Sequence, residues 1–246
     1  MIDYLDAPLG VRGDFAAAHS RFWERLRRPG TWWTSEERIA IAKETRTAWQ
    51  CGLCQRRKEA LSPFALQGEH ESDGDVLPAV AVDAIHRITT DASRLTRDWY
   101  EGVLAQGLSD GHYIELVGTV AAMASVDSFA IAMGVSLRAL PGAGAGAPSN
   151  YRPATAGADD AWVPMVHVNN EGTPEADLWP CGKTGNVIRA MSLVPDEVRT
   201  LKDLSAAHYL ANEWVRKTGV DRGGALNRSQ MELVAGRVSA LNACYY

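Results

Sequence analysis

Apolar residues recur at helical spacing along most of the chain, and runs that alternate as strands do are few. Residues 14–27 carry apolar side chains three and four positions apart, and Pro29-Gly30 ends that run. The same periodicity predicts further helices over residues 35–50, 77–89, 92–106 and 109–133. We therefore predict an all-α domain over residues 1–140, which is an ordinary length for a domain.

The periodicity stops after this region. Residues 141–148 read PGAGAGAP, a low-complexity stretch with nothing to bury, and predict a flexible linker. Residues 150–185 mix turn formers with isolated aromatic residues, which indicates an irregular segment laid on a surface. We treat 141–185 as linker and irregular segment together. Helical periodicity then returns over residues 186–193, 196–215 and 228–243.

Two stretches of the chain align without a gap: TSEERIAIAKETRTAWQCGL, which starts at Thr34, and NRSQMELVAGRVSALNACYY, which starts at Asn227. Each opens with a residue that caps helices and has Glu or Gln three positions later, the pattern of a capping box. In both, an apolar helical run leads to a cysteine at the same distance, Cys51 and Cys244. The alignment predicts a duplicated helical module, with residues 186–246 as the first half of an incomplete second copy.

Composition and charge limit the kinds of partner that we expect. The net charge is −5 and the isoelectric point is near 5.7, so we expect no nucleic-acid partner and no anionic membrane. No apolar stretch approaches the roughly 20 residues of a membrane span, and the N-terminus shows no secretory signal. We expect a cytoplasmic protein whose thiols stay reduced.

In that setting, the sequence Cys51-Gly-Leu-Cys54 points to catalysis or metal binding more than to a structural disulfide. A Cys-x-x-Cys at the start of a helix gains thiolate character from the helix dipole, and its second sulfur can close on an oxidised first one. Such a site also needs a proton carrier, normally His or Glu. Glu44 lies two turns before Cys51 on the same helix face, too far for direct contact unless the chain bends.

Other interpretations of these residues remain open. Zinc takes four ligands, and because Cys181 and Cys244 stand alone and no histidine with ligand spacing completes a set, we expect no metal. A buried, unreactive cysteine pair is a second alternative. His86 and His112 lie on amphipathic helices and are interpreted as ordinary surface or satisfied histidines, and Cys181 as a loop thiol.

The C-terminal stretch GALNRSQMELVAGRVSALNACYY resembles the signature of the alkylhydroperoxidase D-like family, in the carboxymuconolactone decarboxylase superfamily. That signature is a glutamate, an apolar helix ending in Ser-x-x-Asn-x-Cys, a second redox residue and a following histidine. The matching positions are Glu232, Ser239, Asn242 and Cys244. In the first copy the redox pair is matched by Cys51 and Cys54, whereas Ile39 and Lys58 replace the family's glutamate and histidine.

The resemblance implies a homo-oligomeric, thiol-dependent peroxidase or disulfide oxidoreductase without a bound cofactor. Its substrate would be a hydroperoxide and its reductant a thiol protein or small dithiol. Cys51 and Cys54 would be nucleophile and resolving thiol in either order, and Cys244 would pair with a residue 247, with Glu232 relaying protons. By analogy with selenoproteins of this family, we expect selenocysteine at 247. The alternatives are a decarboxylase-like enzyme without redox chemistry and a catalytically silent oligomerising protein.

Overall fold

The computed structural model describes residues 1–179, 182, 184–210, 212–215, 217 and 226–244. Cys181, interpreted from sequence as a loop thiol, and the last two residues of the second repeat lie outside this described part. Helix accounts for 53% of the structure and strand for 2%, so the predicted all-α class is confirmed.

The first part of the chain forms the helices that the periodicity predicted and one further helix, the third in chain order, that it did not. They are α1 Gly13–Leu26, α2 Ser35–Ala48, α3 Gly52–Glu59, α4 Ala79–Asp91, α5 Arg97–Ala105 and α6 Asp110–Ala132, with 3-10 turns at Pro63–Ala65 and Ala92–Arg94. The predicted Thr34–Glu37 capping box opens α2. The predicted helix over 92–106 begins later, at α5, because extended Thr96 breaks the run and caps α5 by accepting from the Trp99 N–H.

Helix α6 lies at the centre of the bundle and packs against α2 and α4. Its buried side chains include Leu116, Val120 and Met123, and Gly134, with a φ of +68°, ends the helix. The statement that no apolar stretch approaches a membrane span was wrong: α6 is long and apolar enough to cross a bilayer. Most of its apolar stretch is buried inside the bundle, as in the core helix of a soluble protein.

The second part of the chain is more irregular. Its elements are β1 Ala156–Gly157, β2 Met165–Val166, α7 Asn186–Arg189, α8 Pro195–His208, α9 Asn212–Val215 and α10 Arg228–Leu241, and the two strands pair antiparallel. The helix predicted over 196–215 is broken at Tyr209, whose backbone (φ −131°, ψ −95°) is not helical.

Described residues between 163 and 208 complete the core of the first part. Val166, Leu178, Leu193 and Val198 are buried in one apolar cluster with Leu116 of α6. Helix α8 packs against α1 and α6. Helix α8, from the segment after the linker, thus packs on the first helical module.

The stretch predicted to be a flexible linker makes specific hydrogen bonds to the α1–α2 corner. The Gly144 N–H donates to the Ser35 hydroxyl at 3.1 Å, and the Asn150 N–H donates to the Thr31 carbonyl at 2.7 Å. A Cβ at Gly144 would lie 2.2 Å from the Arg27 carbonyl oxygen. Glycine is therefore needed there for the close approach of the two backbones, a requirement that low complexity alone does not reveal.

A buried charge cluster joins α2, α6 and α8. Arg38 Nε lies 3.2 Å from Glu115 Oε1, and an Arg38 terminal nitrogen lies 3.4 Å from Glu197 Oε1. One guanidinium thus faces two carboxyl groups away from water. Burial, only partly offset by Arg38, raises the pKa of Glu197 to about 8. Since Glu197 belongs to α8, the packing of α8 against α2 and α6 depends on pH through this carboxyl group.

Candidate dithiol–dihistidine site

The corner between α2 and α3 orients the two cysteines. The N–H of Cys51 bonds to the Ala48 carbonyl as α2 ends, and Cys51 then takes extended backbone angles as the N-cap residue of α3. Cys54 follows three residues later, so both sulfurs lie on the same face of α3. That face is turned inward: Cys51 is 0% and Cys54 2% exposed. The pair is reduced in this structure.

Two histidines from different elements reach this pair. His70 lies in the loop between α3 and α4, and its Nδ1 is 3.6 Å from Cys51 Sγ and 3.5 Å from Cys54 Sγ. His86 lies on the buried face of α4, and its Nδ1 is 3.2 Å from Cys54 Sγ. One ligand-type atom from each of these four residues lies within 4.8 Å of every other. We call Cys51, Cys54, His70 and His86 the site cluster.

The far nitrogen of each histidine is held by a carboxylate. His86 Nε2 is 2.6 Å from Glu44 Oε1, and His70 Nε2 is 2.9 Å from Asp83 Oδ1. Because an ionised carboxylate only accepts hydrogen bonds, His86 Nε2 carries the proton and the His86 Nδ1 lone pair faces Cys54. His70 Nε2 lies 2.9 Å from Asp83 Oδ1 and 3.0 Å from the donor Arg57 Nη1. Donation to Asp83 turns the His70 Nδ1 lone pair toward the sulfurs, whereas acceptance from Arg57 places the proton on Nδ1. Arg57 supports the arrangement by donating to Asp83 at 3.1 Å.

The ionisation of these groups follows from burial and partners. Burial opposes the charge on Glu44, but hydrogen bonds from His86, the Asp73 backbone and Ser72 outweigh it and lower the Glu44 pKa. Burial likewise opposes the Asp83 charge, but His70 and the neighbouring arginines keep the Asp83 pKa well below its usual range.

For the His70 imidazole and the Cys54 thiol, burial outweighs the partners and sets the direction of the pKa shift. Burial lowers the pKa of His70 despite the pull of Asp83, so its ring is neutral at neutral pH. Burial, and then the neighbouring Cys51, raise the pKa of Cys54 to about 12. Cys54 is therefore a thiol at neutral pH and needs a base to become nucleophilic.

The sequence predicted the cysteines but not their neighbours. His86 was interpreted as an ordinary surface or satisfied histidine. It is not on the surface, since its side chain is 0% exposed; Glu44 satisfies it, and it also lies against Cys54. Glu44, predicted to lie too far from Cys51 for direct contact, reaches Cys54 through His86. The argument that no histidine completes a set of four ligands also fails, because His70 and His86 do so in space.

The predicted C-terminal site residues lie elsewhere. Helix α10 opens with the predicted capping box at Asn227, yet none of its described residues is buried. Glu232 accepts hydrogen bonds from Arg228 and Tyr209. Cys244 is exposed. The roles of Glu232 and Cys244 in a second reaction centre stay a prediction.

The Ser-x-x-Asn-x-Cys pattern serves here as a helix stop. Ala243 has a left-handed φ of 50°, and the Cys244 N–H bonds back to the Ser239 carbonyl, as in a Schellman motif. Glu232 lies seven residues before Ser239 on the same helix, so at 1.5 Å per residue it is about 10 Å along the axis from the start of this helix stop. Within the described residues, no hydrogen bond joins Glu232 to Cys244.

Comparison with known proteins finds no matching family model, no matching curated protein and no matching solved structure. The fold and the site therefore define the class: a helical protein with a buried dithiol that two carboxylate-supported histidines contact.

Proposed function

We propose that this chain is a thiol-dependent peroxidase and dithiol–disulfide oxidoreductase of the alkylhydroperoxidase-like kind. The observation that carries the proposal is the buried series Glu44–His86–Cys54, with successive distances of 2.6 Å and 3.2 Å. A carboxylate that orients an imidazole, which in turn contacts a nucleophile, is the arrangement by which a side chain that is protonated at neutral pH is activated.

In the proposed reaction, the Cys54 sulfur attacks the terminal oxygen of a hydroperoxide while His86 Nδ1 takes the thiol proton. A sulfur–oxygen bond forms and the oxygen–oxygen bond breaks. The alcohol leaves with the proton from His86, and Cys54 becomes a sulfenic acid. Cys51 then attacks that sulfur, water leaves, and a disulfide remains. A reducing thiol protein or small dithiol supplies two electrons and two protons to restore the pair.

The structure supports Cys54 rather than Cys51 as the nucleophile, because only Cys54 contacts His86 directly. Two other residues can take the place of the proton carriers that the first copy of the family signature lacks. Glu44 and His86 would do the work that the family assigns to positions occupied here by Ile39 and Lys58.

Burial of the sulfurs favours small substrates. Both thiols lie beneath the loop that carries His70 and Glu71, and the Glu71 carboxylate accepts from the Gly52 N–H at 3.2 Å. We therefore expect hydrogen peroxide to react faster than bulky organic hydroperoxides. A cytoplasmic location and assembly into homo-oligomers remain part of this proposal.

A peroxidase assay with dithiothreitol as reductant tests the proposal. Cys54→Ser is expected to abolish turnover. Without reductant, Cys51→Ser is expected to stop after one sulfenic acid per chain, which a sulfenic-acid trap would label. Cys244→Ser removes the exposed thiol of the predicted second centre, and turnover through the Cys51–Cys54 pair should persist in it.

Turnover that persists in both Cys51→Ser and Cys54→Ser would overturn the proposal. An activity that survives alkylation of both thiols would instead favour the decarboxylase-like alternative. A reduced wild-type protein that consumes no peroxide would favour the catalytically silent alternative.

A further inference from the structure

The atoms of the site cluster have the spacing of a tetrahedral metal site. Zinc bound at about 2.3 Å from sulfur and about 2.0–2.1 Å from nitrogen sets adjacent sulfur and nitrogen ligands about 3.5–3.6 Å apart. The observed separations are 3.6 Å for Cys51–His70, 3.5 Å for Cys54–His70 and 3.2 Å for Cys54–His86. The remaining pairs lie within 4.8 Å, so shifts of up to about 1 Å would bring all four atoms to tetrahedral spacing.

The surroundings of the two histidines have the features of metal ligands. Both histidines turn Nδ1 toward the sulfurs. His86 donates Nε2–H to Glu44, and His70 donates to Asp83 in the tautomer that metal binding requires, with Arg57 Nη1 3.0 Å from the same nitrogen. Such carboxylate–histidine pairs fix the ring, fix the tautomer and increase the basicity of the ligating nitrogen. One pair would be enough to orient a proton acceptor for Cys54, so the second pair, whose histidine contacts both sulfurs, requires a further explanation.

Charge balance favours a divalent cation. Around the cluster, the carboxylates Glu44 and Asp83 are matched by the guanidinium groups of Arg57 and Arg87, both of which contact Asp83. Two thiolates inside this neutral shell would carry a buried charge of minus two, and a divalent ion cancels it. A set of two thiolates and two imidazoles in a tetrahedron selects zinc among the common divalent ions.

We infer that Cys51, Cys54, His70 and His86 together bind one Zn²⁺ ion in the reduced protein, and that oxidation of the two cysteines releases it. The binding part is independent of the proposed function, whereas the release rests on it. On oxidation, the two thiolates give two electrons to the hydroperoxide, which takes up two protons and leaves as alcohol and water. The resulting disulfide has no thiolate with which to hold the ion.

Four protein ligands leave no open position on the metal, so the ion has no direct catalytic role. It would instead hold both sulfurs as coordinated thiolates and occupy the His86 lone pair that the peroxide step needs. Bound Zn²⁺ is therefore expected to slow oxidation of the pair, and its removal by a chelator to restore it.

Titration of reduced, chelator-treated full-length protein with Co²⁺ tests the binding. We expect one ion per chain, thiolate-to-cobalt charge-transfer absorption, tetrahedral visible bands, and displacement by Zn²⁺. Cys54→Ser and His70→Gln should weaken binding by more than about 100-fold. Asp83→Asn changes a residue that contacts the ligand His70 but not the ion, and should weaken binding by about 10- to 100-fold. Cys244→Ser and His167→Gln replace exposed residues of the same types and should bind as the wild type does.

The oxidised wild-type protein provides a test without substitution: it should not bind Co²⁺, and reduction should restore binding. Less than stoichiometric binding by the reduced protein, an octahedral spectrum, or equal affinity in Cys54→Ser would overturn the binding inference. Retention of the ion by the disulfide form would overturn the release.

Metal-free wild-type protein, prepared with a chelator, separates this inference from the proposed function. Retained or faster peroxide turnover without the ion is the expected result. If the wild-type protein binds Zn²⁺ but never turns over peroxide, the binding inference stands and the proposed function falls. If the wild-type protein turns over peroxide but binds no metal, the proposed function stands and the binding inference falls.

Discussion

Replacing Glu44 by Gln tests the proposed proton relay. The substitution keeps the size of the side chain but removes the negative charge that lies 2.6 Å from His86 Nε2. During attack by Cys54, His86 becomes an imidazolium, and the Glu44 carboxylate stabilises that charge. A hydrogen bond to a charged group contributes about 1.5–3 kcal/mol. Since each 1.36 kcal/mol is worth about tenfold in rate, we expect oxidation of the dithiol to slow by about 10- to 150-fold.

The assay is the rate of thiol loss under excess hydrogen peroxide without reductant, which isolates the first oxidation from reduction. Glu71→Gln is the matched control, because Glu71 is also a glutamate over the cysteines but accepts from the Gly52 N–H instead of a histidine. Glu44 also accepts from Ser72 and from the Asp73 backbone, so thermal unfolding of each variant is measured alongside. An unchanged rate in folded Glu44→Gln, or an equal loss in Glu71→Gln, would refute the relay.

Further predictions concern the scaffold. Because the pKa of Glu197 is raised from 4.5 to about 8, the native state keeps a proton that the unfolded state releases between those values. Wild-type stability should therefore fall over that range by up to about 1.4 kcal/mol per pH unit, and denaturant titrations of Glu197→Gln should show a smaller fall. A Cβ at Gly118 would lie 2.3 Å from Glu197 Oε2, so Gly118→Ala should lower the melting temperature, with a cost of about 1–3 kcal/mol. Gly102→Ala, on an open helix surface, should raise it. Removal of the α2 cap in Thr34→Ala should cost about 1 kcal/mol of global stability, whereas Asn227→Ala should leave the main unfolding transition unchanged because α10 buries nothing.

The longer helices were predictable because their apolar residues recur at helical spacing, whereas the short, mostly charged α3 shows no such pattern. Breaks in the patterns explain the other differences. Thr96 interrupts the predicted run at 92–106 through a local cap, and Tyr209 ends α8 through a backbone conformation that periodicity does not reveal. The linker at 141–148 was assigned from composition, which does not show that Gly144 must approach Arg27.

The site was only half predictable. Cys51 and Cys54 carry their own spacing signal, but His70 lies in a loop and has no spacing relation to them. Two signals were nevertheless present. Glu44 stands on the buried stripe of α2, and His86 on that of α4, where a polar residue needs a partner. Two such residues on adjacent helices would have indicated a buried pair.

The most direct test of the central claim is peptide mapping by mass spectrometry after reduced protein meets one equivalent of hydrogen peroxide. The account predicts that the peptide carrying Cys51 and Cys54 lacks two hydrogens and resists alkylation until a dithiol reduces it, while Cys244 remains alkylatable. Persistence of both thiols in that peptide, or their conversion to sulfinic acids without a disulfide, would contradict it.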